Sequence, residues 1–278
     1  LKRLVVTADD FGAAAEVNEA VEIAHTRGIL TATSLMVAAP AAHEAVALAK
    51  RIPSLRVGLH VVLVEGKPVL PPTQVPDLVD SSGHFRTDMA ASGARMFFLP
   101  HVRRQLMREI EAQFEAFHAT GLPLDHVNAH KHFHLHPTIA SAILRTGKKF
   151  GMRALRVPRE PRKVLAQIEP QSADPVSAIT TPWSALLALR LKMSGVISPD
   201  QVFGLRWSGA MTKTRVRALI DRLPDGLTEI YLHPATSPYP GSAPGYRYAE
   251  ELTALTDSDV VATRSDPQIR WGGFGDFA

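Results

Sequence analysis

Arg3-Leu4-Val5-Val6-Thr7-Ala8-Asp9-Asp10-Phe11-Gly12 stands near the start of the chain. Arg3–Ala8 reads as a buried strand, and Ala13–Arg27 has the pattern of a helix stopped by Gly28. The same strand-then-helix unit recurs downstream. Further strands are predicted at Ala32–Val37, Val57–Leu63, Asp125–Ala129, Ala154–Val157, Gln201–Leu205 and Leu227–Leu232. Further helices are predicted at Ala41–Arg51, His101–Thr120, Pro137–Phe150, Trp183–Ser194, Met211–Leu223 and Tyr248–Leu255. The clearest is His101–Thr120, with Val102, Leu106, Ile110, Phe114 and Phe117 at three-to-four-residue spacing and Gly121-Leu122-Pro123 behind them. Val64–Arg86, Pro158–Pro182 and Pro234–Gly245 are Pro-rich and unpatterned, so they read as loops, and the tail from Arg264 has no clear pattern. Strand–helix alternation implies parallel strands joined by crossover helices. With about seven such units, the expected class is α/β and the expected architecture a distorted or incomplete β/α barrel. No linker or internal repeat divides the chain, so residues 1–278 are expected to form a single domain.

Composition narrows the chemistry. The 278 residues are 45% hydrophobic and 21% charged, ordinary for a globular protein. There is no cysteine, which excludes disulfides and thiolate metal sites, so any metal must be held by His, Asp or Glu. The net charge of +4 is mild and the basic residues are dispersed, which argues against a nucleic-acid partner. Leu1–Val6 is too short for the apolar core of a secretory signal, and no run approaches the ~20 apolar residues of a membrane span. The expected location is the cytoplasm, with peripheral contact at the inner membrane left open.

In a β/α barrel, active sites lie at the C-terminal ends of the strands. Four predicted strand ends carry polar groups: Thr7-Ala8-Asp9-Asp10, Gly58-Leu59-His60, the segment His126–His136, and Tyr231-Leu232-His233-Pro234. Two adjacent carboxylates leaving an apolar strand repel each other and are tolerable beside a cation. Taken alone, Asp10 would more simply cap the helix that follows. The histidines are the stronger signal. Five of the 12 fall between His126 and His136, at every second position except Asn128. On an extended chain, alternate side chains share one face. They cannot all hold one ion, since a catalytic site has about three protein ligands and an open position. A pH-sensitive strip or adventitious metal binding are the plainer readings. His60 and His233 are weak signals singly and gain weight from their joint placement at strand ends.

One carboxylate and two imidazoles around a divalent ion leave coordination positions free, so water can be acidified and a carbonyl polarised. A neighbouring carboxylate can serve as base and a His on the far side as acid, which together would hydrolyse an amide. No nucleophile-elbow, P-loop or dinucleotide fingerprint competes.

These motifs, in this order over nearly the whole chain, resemble the YdjC-like carbohydrate deacetylases, relatives of the polysaccharide-deacetylase group. Gly58–Pro72 and Phe97–Pro161 are similar to the hopanoid-biosynthesis-associated (HpnK-like) branch. The resemblance implies a polysaccharide-deacetylase-like barrel and removal of an acetyl group from an N-acetylated amino sugar, in that branch an N-acetylglucosaminyl hopanoid lipid. It implies Asp10, His60 and His130 as ligands of one divalent ion, Mg2+ or Zn2+, with Asp9 as general base and His233 as general acid. His132 or His134 could replace His130, and otherwise belong with Asn128 near substrate or behind the ligands. Many relatives carry Asp at the position of Asn128, and the amide supplies no charge there. The expected partner is an N-acetylated sugar or glycolipid, and a homodimer is within expectation. The apolar stretches Trp183–Met193 and Met96–Leu99 are expected to pack into the core, or else to meet a lipid tail or membrane surface. Two rival readings are a non-catalytic His-rich metal-binding protein and a barrel glycosidase. The glycosidase needs carboxylates on opposite sides of the scissile bond, which adjacent Asp9 and Asp10 supply poorly.

Overall fold

The computed structural model describes residues 1–170 and 175–278. Its elements run β1 (Lys2–Phe11), α1 (Ala15–Arg27), β2 (Ala32–Leu35), α2 (Ala42–Arg51), β3 (Arg56–Val61), α3 (Met89–Phe98), α4 (Pro100–Ala119), β4 (Val127–Ala129), α5 (Pro137–Lys149), α6 (Arg162–Ala166), α7 (Pro175–Ser194), β5 (Gln201–Phe203), α8 (Lys213–Asp221), β6 (Gly226–Leu232), α9 (Tyr248–Thr256), α10 (Ser258–Val261) and β7 (Ile269–Trp271).

Among the described residues, seven strands pair in parallel in one sheet of order β4-β3-β2-β1-β6-β5, with β7 added beside β1. β1 is the centre. Leu4, Val5, Val6, Thr7 and Ala8 are fully buried, as a parallel strand covered on both faces requires. β6 runs along one edge of β1 from Lys2 to Ala8. The other edge is shared: β7 pairs with Lys2–Leu4, and β2 takes over from Thr7. The two ends of the sheet are linked irregularly. Val127 bridges Leu155, Ala154 bridges Ile197, and the Val202 N–H donates to the Arg159 carbonyl at 2.8 Å. The result is the distorted α/β barrel expected from the alternation. Outside it, α4 buries the predicted stripe Val102, Leu106, Ile110, Phe114 and Phe117.

Several expectations are corrected. The predicted strand Ala154–Val157 contributes only single bridges, and the seventh strand is supplied by the unassigned tail. A helix, α3, follows the Pro-rich loop where none was predicted; Asp88 caps it by accepting the Ala91 N–H at 2.9 Å. Inside the supposed loop Pro158–Pro182 lie α6 and the start of α7, and Pro182 sits within α7 rather than before it. Residues 171–174 of that stretch lie outside the described residues. The apolar stretch of α7 packs on one side only. Leu187 and Leu191 are buried, whereas Trp183, Leu186, Leu189 and Met193 are 43–80% exposed. Phe97 and Phe98 at the end of α3 are also exposed. Among the described residues, no helix is long and apolar enough to cross a membrane.

Candidate functional site

β1 brings both aspartates to the site by departing from a regular strand. In a flat strand, neighbours face opposite sides. Here the β1–β2 register slips between Ala8 and Phe11, and Asp10 adopts a left-handed φ of +63°, a conformation Asp tolerates better than most residues. Both carboxylates therefore line one cavity of about 1460 Å³. Asp10 is not the helix cap. The cap position is Ala14, which makes no side-chain capping bond, and Asn18 reaches back from α1 to accept the Gly12 N–H.

Three ligand-type atoms converge beside Asp10. Its Oδ1 lies 3.3 Å from His60 Nε2 and 3.2 Å from His130 Nδ1, and the two nitrogens are 3.4 Å apart. Ligands about 2.0–2.1 Å from a tetrahedral ion sit about 3.3–3.4 Å from each other, so this triangle fits one face of such an ion. Among the described residues, it is the one such group of His, Asp or Glu. Charge agrees with the geometry. Arg156 pairs with Asp9 and Glu229, while Asp10 meets only the imidazoles of His60 and His130, so among the described residues its negative charge has no fixed cationic partner and a divalent cation would offset it. Burial works against ionising Asp10, but the neighbouring imidazoles outweigh it and hold the carboxyl well below the usual range. Burial likewise opposes charging His60; hydrogen bonding to Asp10 and the charge of Asp9 overcome it and raise its pKa.

Asp9 takes a different position. Arg156 grips it with two bonds, Nη1 to Oδ2 at 2.5 Å and Nη2 to Oδ1 at 3.0 Å, and Asn128 Nδ2 donates to Oδ1 at 3.0 Å. Burial would raise its pKa, but Arg156 more than compensates, so Asp9 is ionised throughout the working pH range. Arg156 also forks onto Glu229, at 3.0 and 2.6 Å, and lies 4.4 Å from the centre of the Tyr231 ring. Neither Arg156 nor Glu229 was singled out from sequence. The available signal was a charged residue within each of two apolar strand patterns, Ala154–Val157 and Leu227–Leu232.

The histidine strip is not extended. Residues His130–Leu135 form a tight turn in which Lys131 and His132 have left-handed φ of 52° and 53°. The alternation therefore does not put the imidazoles on one face. His130 joins the triangle. His132 lines the cavity, its Nε2 paired at 2.9 Å with the Tyr231 hydroxyl. His134 is fully buried behind the site, its Nε2 donating to the Arg156 carbonyl at 2.9 Å, and burial pushes its pKa down to about 4. His136 precedes α5, and His126 lies beneath β3. Asn128 is wholly buried, and its Oδ1 accepts from His60 Nδ1 at 2.7 Å. In the neutral ring that bond leaves Nε2 without a proton at its corner of the triangle, so a neutral amide does the orienting expected of a carboxylate.

His233, at the end of β6, lines the same cavity, and its backbone N–H donates to buried Glu251 at 2.5 Å. Its ring lies 5.6 Å from Tyr231 and 5.2 Å from Tyr246. All four tyrosines of the chain, Tyr231, Tyr239, Tyr246 and Tyr248, line the cavity.

The sequence profile of the family described as YdjC-like protein matches residues 3–265. A carbohydrate deacetylase of Geobacillus stearothermophilus is 33% identical over 271 residues, covering 96% of this chain and 94% of its own. A carbohydrate deacetylase of Thermoanaerobacter pseudethanolicus is 26% identical over 277 residues, 97% of this chain and 96% of its own. A crystal structure from Enterococcus faecalis, assigned provisionally as a cellobiose-phosphate cleavage protein, is 25% identical with a TM-score of 0.77, covering 100% of this chain and 99% of that one.

Proposed function

The chain belongs to the YdjC-like family, and from that premise we propose that it is a carbohydrate deacetylase that hydrolyses the N-acetyl group of an amino sugar. The observation that carries this reading is the triangle of Asp10 Oδ1, His60 Nε2 and His130 Nδ1, with a second ionised carboxylate in the same cavity. These three residues would hold one divalent ion. Two imidazole nitrogens and one carboxylate suit zinc better than magnesium, which prefers oxygen ligands. A divalent ion there would supply Lewis acidity toward the acetyl carbonyl and toward water.

The other groups have assigned roles. Asp9 accepts the proton of the attacking water as its oxygen bonds to the acetyl carbon. Arg156 makes Asp9 a weak base, so this step works only on water of raised acidity. His233 donates a proton to the departing nitrogen as the C–N bond breaks, giving acetate and a free amine. His132, anchored to Tyr231, and the tyrosine cluster offer polar edges and flat apolar faces for a sugar ring.

The finer substrate we propose is the N-acetylglucosaminyl hopanoid that the sequence resemblance implies, handled by one catalytic domain in the cytoplasm at the inner membrane. Two features support a lipid-linked sugar. The cavity is far larger than one monosaccharide needs, and α7 contributes Thr181, Ser184 and Ala185 to its lining while exposing Trp183, Leu186 and Leu189.

The test is incubation of the zinc- or magnesium-loaded protein with soluble and lipid-linked N-acetylglucosamine conjugates, followed by mass spectrometry. Loss of one acetyl group is expected, and release of free sugar instead would favour the glycosidase. Asp10→Ala and His60→Ala should each abolish metal binding and acetate release while remaining folded. Normal turnover in both would refute the assignment. Several ions per chain without hydrolysis would favour the non-catalytic metal-binding reading.

A further inference from the structure

Behind the triangle lies an unbroken chain of hydrogen bonds that reaches Phe274 and Gly275. Asp125 Oδ1 accepts the Gly275 N–H at 2.8 Å and its Oδ2 accepts the Phe274 N–H at 3.1 Å. Asp125 Oδ2 also pairs with His126 Nδ1 at 2.9 Å. His126 Nε2 pairs with Ser34 Oγ at 3.0 Å, and Ser34 Oγ accepts from Asn128 Nδ2 at 2.9 Å. Asn128 then meets Asp9 and His60 as described above.

Each proton in this chain has one available place. Asp125 accepts only, so His126 Nδ1 carries the proton. Asn128 cannot turn its amide over, because its oxygen would then face the carboxylate of Asp9. Its NH2 end must therefore point at Ser34 and Asp9. Ser34 has one acceptor left for its own proton, His126 Nε2. The carbonyl end of Asn128 faces His60, whose Nδ1 must donate. The chain ends on a bare His60 Nε2. His126, Ser34 and Asn128 have no solvent exposure, so no bulk water can substitute for a missing partner.

The packing holds the chain in register. A Cβ on Gly58 would lie 2.5–2.6 Å from three His126 ring atoms, so glycine is required where that ring crosses β3. Phe274 covers the ring, its centroid 4.5 Å away.

We propose that Ser34 and His126 are positioning residues of the metal site, seated by the C-terminal turn at Phe274–Gly275, and that they fix the His60 tautomer that presents Nε2 to the ion. This rests on the reading of Asp10, His60 and His130 as metal ligands. Zn2+ affinity should be measured by competition with a chromophoric chelator for the parent, Ser34→Ala and Ser34→Thr. Ser34→Ala should bind zinc about tenfold more weakly, as loss of an outer partner does elsewhere, while Ser34→Thr keeps the hydroxyl and restores binding to within about threefold. Nitrogen-15 NMR of the parent, without metal at pH 9, should show His60 protonated on Nδ1 and bare at Nε2. That readout is independent of how the variants fold. Equal zinc affinity in parent and Ser34→Ala would overturn the proposal, as would a proton on His60 Nε2. If the parent bound no zinc, the metal reading itself would fail and this inference with it.

Discussion

Arg156 is a fully buried charge held between Asp9 and Glu229, and its value to the fold lies in the cost of removing it. Breaking a buried ion pair strands its partners, at about 3–5 kcal/mol. Arg156→Met should therefore destabilise the protein by about that amount in urea unfolding, and a loss below ~1 kcal/mol would contradict the assignment. Lysine should not rescue it, since one ammonium cannot make two bidentate forks. His60 carries a second expectation. Its folded pKa is raised above the ordinary 6.5, so without metal its contribution to stability is fully present below 6.5 and lost as pH climbs through the folded value. The metal-free protein should melt at progressively lower temperature above neutrality. Zinc competes with the same proton, so its affinity should fall on acidification. A flat melting profile for the metal-free protein between pH 6 and 9 would count against the raised value. Asp9 and Asp10 were readable as a candidate pair because charge at the end of an apolar strand is conspicuous; Arg156 was not, because its partners lie 73 and 147 residues away.

The turn after β4 shows how a correct motif can carry a wrong local geometry. Alternating histidines suggested a flat strip, but two left-handed residues, Lys131 and His132, coil the segment and send its imidazoles to separate places. Only His130 and His132 reach the cavity. His134 is buried in its neutral form, with a folded pKa of about 4 against an ordinary 6.5. Its stabilising effect is complete above 6.5 and is lost as pH falls toward 4, an effect of about 3 kcal/mol by linkage. His134→Gln retains a donor for the Arg156 carbonyl and has no such titration. It should lose about 3 kcal/mol less stability than the parent between pH 7 and pH 4, measured by urea unfolding. Equal losses would show that His134 is not the acid-sensitive group. The helices were more legible than this turn: the α4 stripe is buried as its spacing implied, because a 3.6-residue period records which side meets the barrel. In α7 an apolar composition without that one-sidedness concealed the fact that Trp183, Leu186, Leu189 and Met193 face outward.

At the level of the whole molecule, the barrel is completed by the last stretch of chain. β7 fills the part of the β1 edge that β2 leaves open, and Phe274 is fully buried beside it. Phe274→Ala should cost about 3–5 kcal/mol in thermal or urea unfolding, and a value under ~1 kcal/mol would mean that the tail is dispensable to the core. Metal should stabilise the fold by mass action, by about 2.7 kcal/mol at a hundred times its dissociation constant, and a chelator should reverse the gain. The sequence by itself determined the alternation of strands and helices, the parallel barrel, and which four strand ends carry ionisable groups. Those are properties of local period and composition, written within a few consecutive residues. Tertiary structure alone decided that His130, the histidine named by resemblance, lies beside Asp10 and His60, that uncharged Asn128 bonds His60, and that Arg156 grips Asp9 while the Phe274–Gly275 backbone bonds Asp125. Each of those depends on contacts between residues far apart in the chain, and a one-dimensional pattern contains no distance between them.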